Sequence, residues 1–152
     1  MTIGKGKKMH NLIIDKIETL CKKRNIKLTT QRRTVLDIML KANKAMSAYD
    51  LLDLLKVSEP QAKPPTIYRA LEFLLEQGFI HKVESSNSYI ICPHFQDPEH
   101  LSILFICDIC QQIIEKHSEN IEKQLKQLAQ QNKFLIKHSV LEIHGECHLC
   151  QP

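Results

Sequence analysis

The chain has 152 residues, 43% hydrophobic and 25% charged, which is enough for a buried core in one domain or two small ones. No stretch approaches the roughly 18 consecutive apolar residues of a membrane span, and the N-terminus lacks the pattern of a signal peptide. We therefore expect a cytoplasmic protein, in which six cysteines indicate metal or redox chemistry and not structural disulfides.

The charge is unevenly distributed along the chain. Residues 1–86 hold 16 Lys and Arg against 9 Asp and Glu, a net of +7, whereas residues 87–152 hold 5 against 8, a net of −3. A basic first half joined to an acidic second half is compatible with nucleic-acid binding by the first half. A solvated basic surface would give the same asymmetry.

The first half is predicted to begin with a flexible basic arm, residues 1–10, and to continue with helices. Apolar residues at helical spacing predict a first helix over residues 11–24 and a second from about Thr30. Arg32 and Arg33 would lie in the first turn of the second helix, where cations oppose the helix dipole. A DNA phosphate facing them would offset that cost, and so would simple solvation.

Two further helices follow, and the second of them has the features of a DNA-recognition helix. Ser47 is predicted to cap the third helix, and the fourth runs from about Pro65 to a left-handed Gly78. Tyr68 and Arg69 lie opposite its apolar stripe, near its N-terminus. An arginine in that position can bind guanine O6 and N7 through two hydrogen bonds in the major groove.

After Gly78 the hydrophobic period changes to two, which predicts strands over residues 79–83 and 89–92 joined by a polar turn. Helices followed by a hairpin predict a winged helix-turn-helix domain over residues 11–92. Residues 93–152 have an αβ pattern, so the fold class is α+β. The predicted elements there are strands over residues 101–107, 112–115 and 134–143, and a helix from Ser118 to about residue 131.

Two Cys-x-x-Cys pairs predict a zinc site in the second half. They are Cys107 with Cys110 and Cys147 with Cys150, separated by 36 residues. Each pair can direct two thiolates at one cation, and two pairs complete the tetrahedral Cys₄ geometry of structural zinc. A redox Cys-x-x-Cys motif and cysteines buried by chance are the alternative explanations.

A second set of potential ligands consists of His81, Cys92, His100 and Glu115. One thiolate, two imidazoles and a carboxylate form a plausible zinc site, and this one would draw on both halves of the chain. Each of these residues also has an ordinary explanation, because a lone histidine is usually packed or solvated and a lone cysteine is usually core.

The chain resembles the ferric-uptake-regulator superfamily, and within it the zinc-uptake regulators of bacteria. Coverage runs from about residue 11 to residue 150, and the joint match is specific. It is carried by six segments: LTTQR at 28–32, SAYDLL at 47–52, PPTIYRAL at 64–71, GFIHKVE at 78–84, FICDIC at 105–110 and HGEC at 144–147.

The resemblance implies a homodimeric zinc-responsive repressor that binds double-stranded operator DNA of zinc-uptake genes. Residues 93–152 would then be its dimerisation and metal-binding domain. Each chain would hold two Zn²⁺ ions, a structural one on the four paired cysteines and a regulatory one on His81, Cys92, His100 and Glu115. The resemblance places Tyr49 and Arg69 at positions that read bases, and the full set of predicted DNA contacts is Tyr49, Thr66, Tyr68, Arg69 and Arg32.

Several alternatives remain at this point. An iron or peroxide sensor of the same superfamily is one, although residues 98–101 lack the His-rich motif of iron sensors and Cys92 favours zinc. A thiol redox enzyme would need a thioredoxin-like βαβ pattern around Cys107, which the sequence lacks. A zinc-stabilised adaptor that binds only protein is the third. We expect no enzymatic activity, no small-molecule substrate and no membrane association.

Overall fold

The computed structural model describes residues 3–97 and 99–152, with side chains from residue 6 onward. The chain divides into two compact units, the first ending at Gln96 and the second spanning Asp97–Pro152. The boundary predicted between residues 92 and 93 falls inside the first unit. The reason is Phe95, which is buried there and meets the Phe79 ring edge-on at a centroid distance of 6.3 Å.

Four helices build most of the first unit: α1 (Ile3–Lys23), α2 (Thr30–Ala42), α3 (Ala48–Ser58) and α4 (Pro64–Glu76). Residues 3–10, predicted as part of a flexible arm, are helical in the structure, while Met1 and Thr2 lie outside the described residues. The later turns of α1 are anchored by the buried side chains of Ile14, Ile17 and Cys21. Once those turns are formed, each added residue extends the helix at little cost.

The predicted ends of the helices are confirmed at their caps. Ser47 Oγ accepts a hydrogen bond from the Asp50 N–H at 3.1 Å and so caps α3. Pro64 and Pro65 open α4, and Gly78 beyond its end has a φ of 75°, where a side chain would be strained. The helices enclose one core, whose largest fully buried side chains are those of Ile17, Leu36, Met39, Leu51, Leu55, Ile67, Leu71, Leu74, Phe79 and Ile80.

A three-stranded antiparallel sheet completes the first unit, in the order β1-β3-β2. Its strands are β1 (Met46–Ser47), β2 (Ile80–Val83) and β3 (Ser88–Ile91). A short 3₁₀ turn over Glu84–Ser86 and a left-handed Asn87 join β2 to β3. The predicted hairpin and the winged helix-turn-helix are confirmed, whereas β1 is two residues long and has no periodicity to reveal it.

The second unit contains β4 (Ser102–Cys107), β5 (Ile113–Lys116), α5 (Glu119–Gln131) and β6 (Val140–Gly145), with strand order β5-β4-β6. β4 pairs antiparallel with β5 and parallel with β6. The strand predicted from residue 134 begins only at Val140, because Val140 pairs with the first residue of β4 and earlier residues have no strand beside them. Within the described residues, no helix is long and apolar enough to cross a membrane.

Candidate functional site

The structure brings the four paired cysteines together at one end of the second sheet. Cys107 ends β4 and pairs in register with Gly145, the last residue of β6, so the second cysteine pair follows directly beside the first. All four sulfur atoms lie within 4.8 Å of one another, and Cys110 Sγ is 3.8 Å from Cys147 Sγ. A tetrahedron with Zn–S distances of about 2.3 Å has S–S edges of about 3.8 Å, so the cluster fits zinc.

Tight turns aim both sulfurs of each pair in one direction. The Gln111 N–H donates to the Cys107 carbonyl at 2.9 Å, and Gln111 adopts a left-handed φ of 62°. The Cys150 N–H donates to the Cys147 carbonyl at 2.9 Å in the matching turn. A further hydrogen bond, from the Asp108 N–H to the Gly145 carbonyl at 2.9 Å, joins the two segments. The backbone therefore organises the cluster through its own hydrogen bonds.

The cysteines of the cluster have unequal acidities. Backbone N–H groups of Cys110 and Cys147 lower the pKa of Cys107 to about 6, and the Cys147 N–H lies 3.3 Å from the Cys107 sulfur. The pKa of Cys150 is raised to about 12, mainly through its hydrogen bond with the Cys147 side chain and then through burial. Four thiolates cannot share one pocket without a cation, and a divalent ion would be bound with release of the remaining protons.

His144 stands beside this cluster and bridges two carboxylates. Its Nδ1 lies 3.1 Å from Asp108 Oδ1, and its Nε2 lies 3.3 Å from Glu142 Oε2. These contacts raise the pKa of His144, with the Asp108 hydrogen bond as the larger cause. The ring thus links the first cysteine turn to β6, a role for which the sequence spacing gives no signal.

The first unit contributes one pair of potential ligands, His81 and Cys92. His81 pairs with Ile90 across β2 and β3, and the Cys92 N–H extends the ladder by donating to the Phe79 carbonyl at 3.0 Å. His81 and Cys92 are therefore diagonal neighbours on one face. Their donor atoms lie within 4.8 Å of each other, and the Cys92 side chain is fully buried.

The second unit contributes another pair, His100 and Glu115. His100 Nε2 lies 3.8 Å from Glu115 Oε1, and the two side chains are only 3% and 6% exposed. Ser102 Oγ is 2.9 Å from His100 Nε2, and the Asp97 carbonyl accepts from His100 Nδ1. Burial of an ionised carboxylate is costly unless a cation or several hydrogen bonds compensate for it. Imidazole nitrogen and carboxylate oxygen are both zinc donors.

Side chains on α3 and α4 form the candidate nucleic-acid interface. Tyr68 and Arg69 are exposed on the first turns of α4, opposite its buried stripe, and Tyr68 is 43% exposed. Tyr49, in the first turn of α3, is 63% exposed. Thr66 Oγ1 accepts the Lys63 N–H at 3.1 Å, so this hydroxyl also caps α4.

The first-turn arginines of α2 have partners within the protein. Arg32 donates to the Lys27 carbonyl at 2.8 Å, and its guanidinium lies 3.6 Å above the Phe73 ring. Arg33 forms an ion pair with Glu18 of α1. These contacts offset the cost of placing two cations at the N-terminal end of a helix dipole. The sequence had left two explanations for that cost, a facing DNA phosphate or simple solvation.

Comparison with known proteins agrees with this arrangement. The model of the Ferric uptake regulator family matches residues 23–144. The Zinc uptake regulation protein of Escherichia coli (strain K12) is 51% identical over 138 residues, which cover 91% of this chain and 81% of that protein. A solved zinc uptake regulator complexed with zinc and DNA is 50% identical, with a TM-score of 0.87 and coverage of 93% of this chain and 94% of that one.

A second solved structure, holo XcZur, is 36% identical with a TM-score of 0.83, and the match covers 92% of this chain and 97% of that one. The Ferric uptake regulation protein of Bacillus subtilis (strain 168) is 28% identical over 141 residues, 90% of this chain and 93% of that protein. The chain belongs to the ferric uptake regulator family.

Proposed function

We propose that this chain is a zinc-responsive, DNA-binding transcriptional repressor whose zinc-loaded homodimer binds operators of zinc-uptake genes. The observation that carries the proposal is the combination of a winged helix presenting Tyr68 and Arg69 with a match to a zinc- and DNA-bound regulator at 50% identity. Iron or peroxide sensing is disfavoured because the candidate ligand Cys92 is a thiol, which suits zinc better than Fe²⁺.

In this proposal each chain binds two zinc ions. Cys107, Cys110, Cys147 and Cys150 hold the structural ion, supported by the 3.8 Å sulfur–sulfur spacing. The regulatory ion takes its ligands from His81, Cys92, His100 and Glu115. Support for this second set is the donor chemistry of the two pairs, a buried thiol beside an imidazole and a buried imidazole beside a carboxylate. At both sites zinc would cross-link separate segments of the chain, and it would supply no redox chemistry.

The proposed DNA interface is centred on the first turns of α4. Arg69 and Tyr68 read bases. Thr66 contacts DNA beside them in addition to capping α4, and Tyr49 contacts DNA from α3. Arg32 is assigned to the phosphate backbone. Its guanidinium has five N–H donors, and stacking on Phe73 occupies only the face of the group. The edge can therefore donate to a phosphate as well as to the Lys27 carbonyl.

The homodimer is supported by apolar surface that a single chain leaves exposed in the second unit. Phe105, Ile114 and Ile143 lie in one row across the sheet, and each is at least 36% exposed. Ile121 and Leu128, seven residues apart on α5, are 41% and 56% exposed. Exposed apolar surface of this kind is typical of protein–protein interfaces, and we assign it to the second copy. Leu128→Glu should therefore yield monomers in sedimentation velocity, with Lys123→Glu as the exposed control on α5.

Regulation in this proposal is a linkage between two ligands. Zinc can increase DNA affinity only by binding the DNA-competent state more tightly than the other state. Operator DNA must then raise zinc affinity by the same factor. In the competent dimer, the two α4 helices would be spaced by about one turn of B-DNA, roughly 34–36 Å.

A selection experiment tests both the ligand and the target. Zinc-loaded protein and chelator-treated protein each select duplexes from a random DNA library, and zinc affinity is then measured with and without the selected duplex. We expect a palindromic site from the zinc-loaded protein alone, and tighter zinc binding in its presence. Equal zinc affinities in the two conditions, or equal selection with Fe²⁺ in place of zinc, would refute the proposal.

A further inference from the structure

A series of contacts inside the first unit connects Cys92 to the C-terminal end of α4. The Cys92 N–H donates to the Phe79 carbonyl at 3.0 Å. Phe79 is fully buried, and the Arg24 guanidinium lies 5.4 Å from the centroid of its ring. Arg24 Nη1 in turn donates to the carbonyl of Gln77, the cap residue directly after α4, at 2.7 Å.

Arg24 therefore contacts both sides of one corner in the chain. Gln77 lies before Gly78 and Phe79 lies after it, and the left-handed Gly78, with a φ of 75°, makes the turn from helix to wing. Arg24 also approaches the Gln77 side chain, with 3.3 Å between Nη1 and Oε1. A cation at a helix C-terminus interacts favourably with the carbonyls exposed there, so these contacts hold the end of α4 in place.

The same corner leads directly to the two potential ligands of the first unit. His81 lies two residues beyond Phe79 on β2, and Cys92 is bonded to the Phe79 backbone. A zinc ion that draws these two side chains together restrains the base of the wing. A shift of Phe79 caused by this restraint would alter its contact with the Arg24 guanidinium. The same guanidinium is hydrogen-bonded to Gln77, directly after α4.

We infer that Arg24 is a positioning residue that couples zinc ligation at His81 and Cys92 to the placement of the proposed recognition helix α4. The inference rests on the proposed zinc-responsive function and extends it to a residue outside both the metal ligands and the DNA contacts. Arg24 touches neither zinc nor DNA in this role. It links the wing, where zinc is bound, to the helix that reads DNA.

A purely structural role for Arg24 has a different thermodynamic signature. Loss of general stability weakens DNA binding by the zinc-loaded and the zinc-free protein alike, and it leaves the ratio of the two affinities unchanged. Loss of coupling changes that ratio while zinc affinity in the absence of DNA stays the same. The coupling ratio, defined as zinc affinity with the selected duplex divided by zinc affinity without it, therefore separates the two roles.

The test compares Arg24→Met, Arg24→Lys and Lys23→Met in the full-length protein. Methionine keeps an aliphatic side chain but makes neither contact, and lysine makes one of the two contacts at a time. Lys23→Met removes the same charge from the neighbouring exposed position. We expect Arg24→Met to reduce the coupling ratio by roughly two- to thirtyfold, the range found for residues that link two sites. Arg24→Lys should fall between Arg24→Met and wild type, and Lys23→Met should match wild type.

Amide hydrogen exchange supplies a readout that does not depend on DNA. Zinc should slow exchange at the Gln77 and Phe79 amides in the wild-type protein, and this protection should be lost in Arg24→Met. Wild-type coupling ratios in both Arg24 variants overturn the inference and leave the proposed function intact. If Arg24→Met melts below the assay temperature, a wild-type ratio in Arg24→Lys alone overturns it. A coupling ratio of one in the wild-type protein refutes the proposed function itself.

Discussion

Replacement of Cys107 by serine removes the most buried thiol of the four-cysteine cluster. Cys107 is 3% exposed, and its sulfur accepts the Cys147 N–H at 3.3 Å. Structural zinc on cysteine ligands contributes an apparent free energy on the order of 10–16 kcal/mol. Serine provides a poor zinc ligand at this position, so the variant should lose most of that contribution.

Within a single chain, the second unit buries few other apolar side chains that could compensate for this loss. Its helix α5 contains no buried residue, and the large buried aliphatic side chains among the described residues of this unit are those of Leu101, Ile103, Leu104 and Ile106. At about 1.5–3 kcal/mol for each buried side chain, these four contribute roughly 6–12 kcal/mol. The zinc contribution is as large as that of these four side chains together, so Cys107→Ser should unfold the second unit.

Differential scanning calorimetry and metal analysis together check this expectation. Wild-type protein should show a melting transition from each unit. Cys107→Ser should retain only the transition of the first unit, which has its own core. Cys92→Ser is the matched control, because it should keep a melting transition from each unit and lose zinc-dependent DNA binding. Identical behaviour of the two variants, or a Cys107→Ser protein that keeps its structural zinc, would contradict the division of roles.

Three other changes have defined outcomes. Arg69→Ala should cost about 1–3 kcal/mol at one base pair and relax specificity there, whereas a uniform loss across duplex variants would mark a phosphate contact. Ser47→Ala removes the cap of α3 and should lower the free energy of unfolding of the first unit by about 1 kcal/mol in urea titrations, and an unchanged midpoint would contradict it. Because Asp108 and then Glu142 raise the pKa of His144 above 6.5, the protonated ring stabilises the fold below pH 6.5. That contribution is lost as the pH rises through the raised pKa, so the Tm should fall over this window in wild type and stay level in His144→Gln at saturating zinc.

Features governed by local physics could be predicted from the sequence. The hydroxyl of Ser47 and the flexible backbone of Gly78 act on their immediate neighbours, so the bounds of α3 and α4 followed from them. The change of hydrophobic period after Gly78 predicted the wing for the same reason. The spacing within each Cys-x-x-Cys pair was enough to predict that its two thiols point to the same side, since each pair is itself one turn.

Features that depend on distant partners could not be predicted from local patterns. The start of α1 at Ile3 depends on turns anchored in the core, and the start of β6 at Val140 depends on where β4 begins. The strand pattern from residue 134 is real in the sequence, but hydrogen bonds form only where a neighbouring strand lies alongside.

The candidate metal and DNA sites also combine features that the sequence determines with features that only packing determines. The sequence by itself determined which donor types are present and that the chemistry favours zinc. Only the tertiary structure decided that Cys107 lies beside the second cysteine pair through the parallel pairing of β4 with β6, and that His100 and Glu115 are buried together. It also decided that Arg32 stacks on Phe73 and that Arg24 bonds to the end of α4. Contacts between residues far apart in sequence arise from packing of whole elements, and a local pattern carries no information about which element will lie opposite.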